Sequence, residues 1–384
     1  MNKHHSLKNT IICSLCAFLT LLVLFAFSEN YRGSGSDASA SSQLALLLQK
    51  HSSSSKASAL GEAHIEKDYS IPADALAGPT PDEACFHCFD TAETDAVLEL
   101  IEKARSLGLF AEEEPCFCAD AAFTPGSKIC CYLDESIFAL CWKEQLDGKT
   151  VSLCEIKLRD ASQFRRALTG NSYGSSETKT VSKMAEDANA VIAMSGDYYT
   201  IRDFGICVYQ GQLRRFSETS FQHGTKSYNI IETCFISSSG DLLFFRRGQE
   251  TSREELEEFI SDNGISFSLS FGPVLVENGE VCEIPENYPI GESEKHASRA
   301  GIGQLGKLHY LLMTVSWERE DGSLRGDSFE EFARHFASKG VISAYNLDGG
   351  QTSELCFGSS VFNHVDYGSE RYVSDSIYFA TALS

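Results

Sequence analysis

Short apolar runs separated by turn residues occur along much of the C-terminal half of the chain, and this pattern predicts short β-strands joined by tight turns. Within Phe271–Ile284, the pair Asn278-Gly279 separates two apolar runs and indicates a hairpin. Similar patterns predict hairpins in Cys234–Phe245 and Ile206–Phe216, and a further strand in Leu308–Trp317. This half of the chain is therefore expected to fold mainly as antiparallel sheet.

A helical spacing of apolar residues occurs in three places. The first predicted helix is Thr94–Leu107, the second is Ser252–Asn263, and the third runs from Ser328 to Gly340. The second and third begin with a serine followed three residues later by glutamate, which is a capping box. Since hairpins and helices do not alternate regularly, the fold class is predicted as α+β, with a mixed, largely antiparallel sheet and a few covering helices.

The N-terminal pattern is different, because Ile11–Phe27 is an almost unbroken apolar run with Lys3 and Lys8 before it. It predicts a transmembrane helix with the N-terminus in the cytoplasm, so that the rest of the chain is extracellular. Ala26 and Ser28 also resemble a cleavage site, so a secreted protein with a removed signal peptide is the alternative. Both interpretations export the C-terminal domain.

The predicted organisation has four parts. Residues 1–30 form a cytoplasmic tip and transmembrane segment, residues 31–80 a flexible stalk rich in Ser, Ala and Gly, residues 81–155 a Cys-rich region, and residues 156–384 the main domain. The Cys-rich region holds eight of the 14 cysteines. Export favours disulfides among them; a zinc site of Cys85, Cys88, Cys116 and Cys118, or buried free thiols, remain open alternatives.

The formal net charge of -22 argues against nucleic acid as a partner, because phosphate backbones are bound by Lys and Arg. A small phosphate-bearing substrate remains compatible with this charge if local cations offset it.

Candidate chemistry lies where apolar strands end. Val341–Leu347 leads into Asp348, and the following Gly349 and Gly350 allow a ligand to approach the backbone. A second apolar strand ends before Asp197, and Arg299 precedes a third. An arginine fork suits a phosphate or carboxylate. Asp-Gly also occurs in ordinary hairpins, so the turn at Asp348 alone does not establish a site.

Taken in order, these motifs resemble the phosphodiester glycosidase family. The resemblance covers roughly the C-terminal half and rests on Asn189–Tyr199, Phe271–Val276, Ser298–Gln304, Asn346–Ser353, and Asn363 with Arg371–Asp375. Bacterial members usually have Asn where this chain has Ser195. The resemblance implies hydrolysis of a sugar-1-phosphodiester, here on envelope or capsular polysaccharide, that leaves a phosphomonoester.

The resemblance also implies roles for individual residues. Asp197 and Asp348 are the expected catalytic carboxyl groups, and Arg299 is the expected cation for the phosphate. The expected substrate-binding residues are Ser195, Gly196, Asn346, Gly349, Gly350, Thr352, Ser353 and Asn363. No cofactor is expected, with Ca²⁺ or Mg²⁺ held by Asp348 and Asp197 as a lesser alternative.

Two other interpretations remain open. In the first, the chain is a non-catalytic carbohydrate-binding or envelope-assembly protein that kept the pocket and lost activity with the change to Ser195. Alternatively, the region from Cys85 to Cys154 is an independent partner-binding module, and the main domain is its scaffold. His296, His309 and His364 are possible acid or base groups, and His364, beside Asn363, is the one of interest.

Overall fold

The structure, a computed structural model, describes residues 78–82, 85–89, 129–134, 136–202, 204–216, 222–223, 226–290, 295–316 and 326–382. They belong to one compact unit, Leu48–Ser384. The predicted transmembrane segment Ile11–Phe27, the predicted stalk up to residue 77 and the predicted helix Thr94–Leu107 lie outside the described residues. Within the described ranges, no helix is both long and apolar enough to span a membrane.

The described residues form three α-helices and 22 β-strands. The helices are α1 Val181–Asp187, α2 Arg253–Asp262 and α3 Phe329–Ser338. The strands are β1 Phe86–Phe89, β2 Ile129–Leu133, β3 Ile137–Leu146, β4 Lys149–Leu158, β5 Phe164–Leu168, β6 Ile192–Ser195, β7 Cys207–Tyr209, β8 Gln212–Arg215, β9 Gln222–His223, β10 Lys226–Tyr228, β11 Thr233–Ile236, β12 Leu242–Phe245, β13 Glu250–Thr251, β14 Phe267–Leu269, β15 Val274–Glu277, β16 Glu280–Val281, β17 Arg299–Gly306, β18 His309–Ser316, β19 Ser343–Asn346, β20 Leu355–Phe357, β21 Ser360–Val361 and β22 Asp375–Phe379.

Two large sheets dominate the fold. One has nine strands in the order β1-β2-β3-β4-β18-β17-β19-β15-β16, and the other has five in the order β21-β20-β6-β22-β5. Every strand pair within them is antiparallel. The predicted α+β class with a largely antiparallel sheet is therefore confirmed.

The main hydrophobic core contains inward-facing residues of both large sheets. Phe164 of β5 stacks on Phe379 of β22 with ring centroids 4.6 Å apart, and it meets Tyr310 of β18 at 5.2 Å. All three side chains are fully buried. Burial of such large aromatic surfaces holds the two sheets together.

The predicted helices that fall within the described residues are confirmed. α2 and α3 each begin after a serine cap, Ser252 and Ser328, with both hydrogen bonds of the capping box formed. α3 covers the nine-stranded sheet beside β17, where a Cβ added to Gly301 would lie 3.0 Å from the rings of Phe332 and Phe336. The small residues of β17 therefore allow the helix to pack closely.

The predicted hairpins are confirmed as well. β15 and β16 pair around Asn278-Gly279, both residues of which have positive φ as a tight primed turn requires. β11 pairs with β12, β7 pairs with β8, and the strand predicted in Leu308–Trp317 is β18. Tight turns encode these local pairings.

The Cys-rich region contributes strands to the nine-stranded sheet. β4 lies beside β18, and the boundary predicted between residues 155 and 156 falls inside β4. The nine cysteines whose side chains are described form no disulfide with one another. Of the proposed zinc ligands, Cys116 and Cys118 lie outside the described residues. In the described part of the chain, no group of three or more His, Cys, Asp or Glu side chains is arranged to hold a metal ion.

Candidate active site

The two large sheets meet where β6 and β19 end, and this junction brings the predicted motifs together. The amide of Asp348 donates to the carbonyl of Gly196 at 3.1 Å, and the amide of Ser195 donates to the carbonyl of Glu354 at 3.2 Å. The amide of Gly350 donates to the carbonyl of Ser298, just before β17, at 2.8 Å. Motifs that are about 50 to about 160 residues apart in sequence thus form one continuous backbone network.

Asp348 lies in this junction and is partly exposed as a residue. Its Oδ1 accepts from the amide of Gly349 at 3.0 Å, whereas its Oδ2 is buried without a hydrogen-bond partner among the described residues. Burial raises the pKa of Asp348 to about 6, although Thr352, Arg202 and Arg371 act to lower it. A carboxyl group with this pKa exchanges protons near neutral pH, as a catalytic acid or base must.

Two arginines therefore act on the charge of Asp348. Arg202 donates to the main-chain oxygen of Asp197 and lies over the ring of Phe271, 5.1 Å from its centroid. Its Nε is buried and has no partner in the described part of the chain. Arg371 is exposed and lies over the ring of Tyr198 at 5.5 Å. The arrangement provides positive charge beside the carboxyl group of Asp348.

Asp197, in contrast, is almost completely buried and fully engaged. Its Oδ1 accepts from Nη2 of Arg166, and its Oδ2 accepts from the amide of Ser270 at 2.7 Å. The same arginine donates from Nε to Asp375 at 3.1 Å. Burial lowers the pKa of Arg166, but the two carboxylates outweigh burial and raise it. The three side chains form a buried ion cluster, and burial raises the pKa of Asp375 within it.

The cluster fixes the turn that carries Tyr198. Asp375 accepts from the amides of Asp197 at 3.1 Å and Tyr198 at 2.9 Å. Its carboxylate lies directly against Gly196, where an added Cβ would be 1.9 Å from Oδ2. Only glycine fits at Gly196. Tyr198 adopts a left-handed φ of 56°, which residues other than glycine rarely adopt. The turn is held in one conformation by Asp375.

Arg166 and Arg202 were not predicted from the sequence. Arg166 lies in β5, ahead of every recognised motif, and nothing in its local sequence distinguishes it from a surface arginine. Arg202 follows the Gly196–Tyr199 motif by three residues, and that proximity was an available signal. Arg371 and Asp375 lie in a motif that was recognised but received no predicted role.

The other predicted substrate-binding side chains lie mostly beneath the turn of Asp348. Asn346 donates to the carbonyl of Gly272 at 2.8 Å, Asn363 donates to the carbonyl of Ser353 at 2.7 Å, and Thr352 donates to the carbonyl of Gly349 at 2.6 Å. The buried hydroxyls of Ser195 and Ser353 have no partner among the described residues. Gly349 and Gly350 are partly exposed. Direct binding of substrate by these residues stays a prediction.

Arg299 lies close to the turn through its backbone, since a Cβ added to Gly349 would be 3.8 Å from the Cα of Arg299. Its side chain, however, donates to the carbonyls of Asp327 at 2.9 Å and Lys295 at 2.6 Å. The guanidinium stacks on Phe329 of α3, 3.9 Å from the ring centroid. A direct role of Arg299 at phosphate also stays a prediction.

A buried carboxyl group, Glu354, lies behind the site and was not predicted. Burial, together with the hydrogen bond to Glu370 and the charge of Glu370, raises the pKa of Glu354 to about 9. Glu354 is therefore protonated at neutral pH, and its neighbour Cys356 lies 3.5 Å away. Of the histidines, His296 and His309 pair with Glu331 and Glu155, at 3.0 and 2.7 Å.

Comparison with known proteins supports the family resemblance. The family model described as phosphodiester glycosidase matches residues 188–380, which is half of the chain. The SPbeta prophage-derived uncharacterized protein YomE of Bacillus subtilis (strain 168) is 25% identical over 224 residues, covering 56% of this chain and 32% of that protein. The chain thus matches about a third of the length of this curated relative.

Two solved structures are similar to this one at low sequence identity. The first is the catalytic domain of zebrafish N-acetylglucosamine-1-phosphodiester alpha-N-acetylglucosaminidase, auto-inhibited by its pro-peptide, with a TM-score of 0.48, 17% identity and coverage of 64% of this chain and 83% of that one. The second is a hypothetical protein from Synechocystis, with a TM-score of 0.42, 15% identity and coverage of 64% and 62%. With half of its length matched by the family model, the chain belongs to the phosphodiester glycosidase family.

Proposed function

We propose that this protein hydrolyses the bond between the anomeric carbon of a sugar and the oxygen of a phosphodiester. The observation that carries the proposal is Asp348, a partly exposed residue whose carboxyl Oδ2 has no partner among the described residues and whose pKa is about 6, beside Arg202 and Arg371. Family membership supports phosphodiester glycosidase activity in general. The arrangement of one carboxyl group and two cations suits that reaction.

The chemistry follows from the leaving group. A phosphomonoester is a weak base, so it needs neutralisation of its charge more than a proton when the bond from anomeric carbon to oxygen breaks. Arg202 and Arg371 would supply that charge, because guanidinium groups bind phosphate oxygens well. Asp348 would take a proton from the water that attacks the anomeric carbon. The bonding electrons leave with the phosphate oxygen, and the sugar gains a hydroxyl.

Asp197 receives a positioning role in this proposal. Its carboxylate is committed to Arg166 and Ser270, while its main-chain oxygen accepts from Arg202. Asp197 and Asp375 would therefore hold Tyr198 and Arg202 in place from inside the protein. Arg299 remains the predicted alternative cation, and loss of phosphate binding in Arg299→Ala with Arg202 intact would assign it the phosphate.

A polymeric substrate outside the membrane is the finer part of the proposal. Exposed apolar and aromatic side chains lie in the segments that carry the candidate site: Ile201 is 63% exposed, Tyr367 88% and Tyr372 63%. The turn of Tyr367 is docked beside the turn of Asp348, because Ser298 donates to Asp366 at 2.7 Å. Aromatic faces stack on sugar rings, and the apolar run Ile11–Phe27 would anchor the domain to the membrane with the site on the extracellular side.

The alternative function is carbohydrate binding without turnover. Ser195, where the family resemblance implies Asn, is the observation that favours it, and the hydroxyl of Ser195 is buried without a described partner. In that case the site would bind a sugar phosphodiester and release nothing.

The test uses the full chain purified in mild detergent and a nucleotide sugar as probe, because a nucleotide sugar contains a sugar-1-phosphodiester bond. We expect release of free sugar, and a loss of at least about a hundredfold in kcat for Asp348→Asn, as for removal of a catalytic base. Asp187→Asn, an exposed acid of α1, is the control with wild-type turnover. Equal turnover in Asp348→Asn would overturn the proposal. Binding of the probe without release would favour the alternative.

A further inference from the structure

Among the cysteines whose side chains are described, three stand side by side on adjacent strands of the nine-stranded sheet. Cys130 of β2 is directly opposite Cys141 of β3, and Cys141 is directly opposite Cys154 of β4. All three are buried in the main core. Cys141 lies between two neighbours, so the pairing that oxidation would produce depends on which neighbour is closer.

The hydrogen-bond alternation of antiparallel strands decides between the two neighbours. Opposite residues alternate between hydrogen-bonded pairs and non-hydrogen-bonded pairs. The amide of Asp134 donates to the carbonyl of Ile137 at 2.9 Å, so these two residues form a hydrogen-bonded position. Hydrogen-bonded pairs recur at every second residue along each strand. Cys130 is four residues before Asp134, and Cys141 is four residues after Ile137, so Cys130 and Cys141 also form a hydrogen-bonded pair. The backbone groups of Cys141 therefore point toward β2 and away from β4.

The pairing of β4 with β18 leads independently to the same conclusion about Cys141 and Cys154. The amide of Leu158 donates to the carbonyl of Leu308 at 2.9 Å. Cys154 is four residues before Leu158, Leu312 is four residues after Leu308, and the two are directly opposite each other. Cys154 and Leu312 are thus a hydrogen-bonded pair, so the backbone groups of Cys154 point toward β18. Cys141 and Cys154 consequently face each other as a non-hydrogen-bonded pair.

Side chains are closer in non-hydrogen-bonded pairs, whose Cα atoms lie about 4.5 Å apart instead of about 5.5 Å. A disulfide needs Cβ atoms within about 3.5–4.5 Å, which favours this type of pair. We propose that Cys141 and Cys154 form a cross-strand disulfide in the exported protein, and that Cys141 does not pair with Cys130.

The oxidant is the disulfide of a thiol–disulfide oxidoreductase or of glutathione. One thiolate attacks that disulfide and forms a mixed disulfide with loss of one thiol; the second cysteine then displaces the other thiol. Two cysteine thiols and one disulfide thus become a protein disulfide and two thiols. Because Cys141 and Cys154 are fully buried, the exchange takes place before the sheet closes. The Asp147-Gly148 turn brings β3 and β4 together locally.

The disulfide would reinforce a part of the sheet that supports the candidate site. β4 pairs with β18, β18 pairs with β17, and Ser298, the residue before β17, accepts from Gly350. The loop that this disulfide closes is short. A disulfide that closes a loop of about 15 residues lowers the equilibrium constant of unfolding by roughly a hundredfold. β3 and β4 precede the region matched by the family model.

The test maps the disulfide in the wild-type chain. The full chain in mild detergent is unfolded in urea with reductant, refolded with reduced and oxidised glutathione, blocked with N-ethylmaleimide, and digested with trypsin and chymotrypsin. Chymotryptic cleavage after Tyr132 and Phe138 separates Cys130 from Cys141 before mass spectrometry. We expect Cys141 linked to Cys154. A peptide linking Cys141 to Cys130, or Cys141 recovered only as the blocked thiol, would overturn the proposal.

Two variants provide matched controls. In Cys130→Ala the link between Cys141 and Cys154 should persist, whereas in Cys154→Ala we expect Cys141 to be recovered as a blocked thiol. Transfer of the link to Cys130 in the second variant would show that the two neighbours are equivalent and contradict the alternation argument. Urea unfolding of the wild type with and without dithiothreitol should differ by roughly a hundredfold in the equilibrium constant. No difference would contradict a stabilising link.

Discussion

Replacing Asp348 by Asn tests whether this carboxyl group is held at an energetic cost. Burial raises the pKa of Asp348 from 3.8 to about 6. A shift of about two units corresponds to about 3 kcal/mol, since one unit is worth about 1.4 kcal/mol. Asp348 is partly exposed as a residue, so solvent screening reduces the cost. We expect Asp348→Asn to raise the free energy of unfolding at pH 7 by about 1–2 kcal/mol.

The pH dependence follows from the direction of the shift. The folded state binds the proton of Asp348 more tightly than the unfolded state, so the cost is absent below the unfolded pKa near 3.8. It grows as pH rises and is complete above about 6. Asn carries no charge at any of these pH values. The advantage of Asp348→Asn should therefore be present at pH 7 and absent at pH 4.

Urea unfolding of the two proteins at pH 4 and pH 7 measures this difference. Asp187→Asn is a control of opposite sign: burial acts to raise the pKa of Asp187, but Lys179 and Lys183 lower it overall. That variant should lose a few tenths of a kcal/mol at pH 7, as exposed ion pairs do. A wild type more stable than Asp348→Asn at pH 7, or a gain that persists at pH 4, would refute the reasoning.

Three further substitutions test the surroundings of Asp348. Arg371→Gln removes one of the two cations that lower the pKa of Asp348, so the acid limb of the pH–activity profile should move upward from about pH 6. An unchanged acid limb would show that Arg371 does not act on Asp348. Arg166→Met leaves two buried carboxylates without their cation, and urea unfolding should show a loss of about 3–5 kcal/mol; a loss below about 1 kcal/mol would contradict the ion cluster. Gly196→Ala places a Cβ 1.9 Å from Asp375 and should cost at least about 2 kcal/mol in the same assay, so wild-type stability would contradict the packing.

Local elements could be predicted from the sequence because their signals are local. The capping boxes of α2 and α3 and the Asn278-Gly279 turn act within a few residues. The order of the nine-stranded sheet has no such signal, since β4 pairs with β18 across about 150 residues. Propensity and alternation specify a strand but not its partner.

The candidate site likewise contains residues with a local sequence signal and residues without one. Asp348 was found because an apolar strand ends at an acid followed by two glycines. Asp197 has a similar local pattern, yet its carboxylate is neutralised by Arg166 from β5. The sequence contains no local mark that joins Arg166 to Asp197 or Asp375. Which strand-end acid stays accessible is thus decided by tertiary contacts.

The measurement that tests the central claim most directly is hydrolysis of the nucleotide sugar in water enriched in ¹⁸O. If Asp348 directs water to the anomeric carbon, the label should appear in the C1 hydroxyl of the released sugar and be absent from the phosphomonoester. Mass spectrometry of both products gives the answer, and Asp348→Asn should release neither. Label in the phosphate would mean attack at phosphorus and would contradict a glycosidase mechanism.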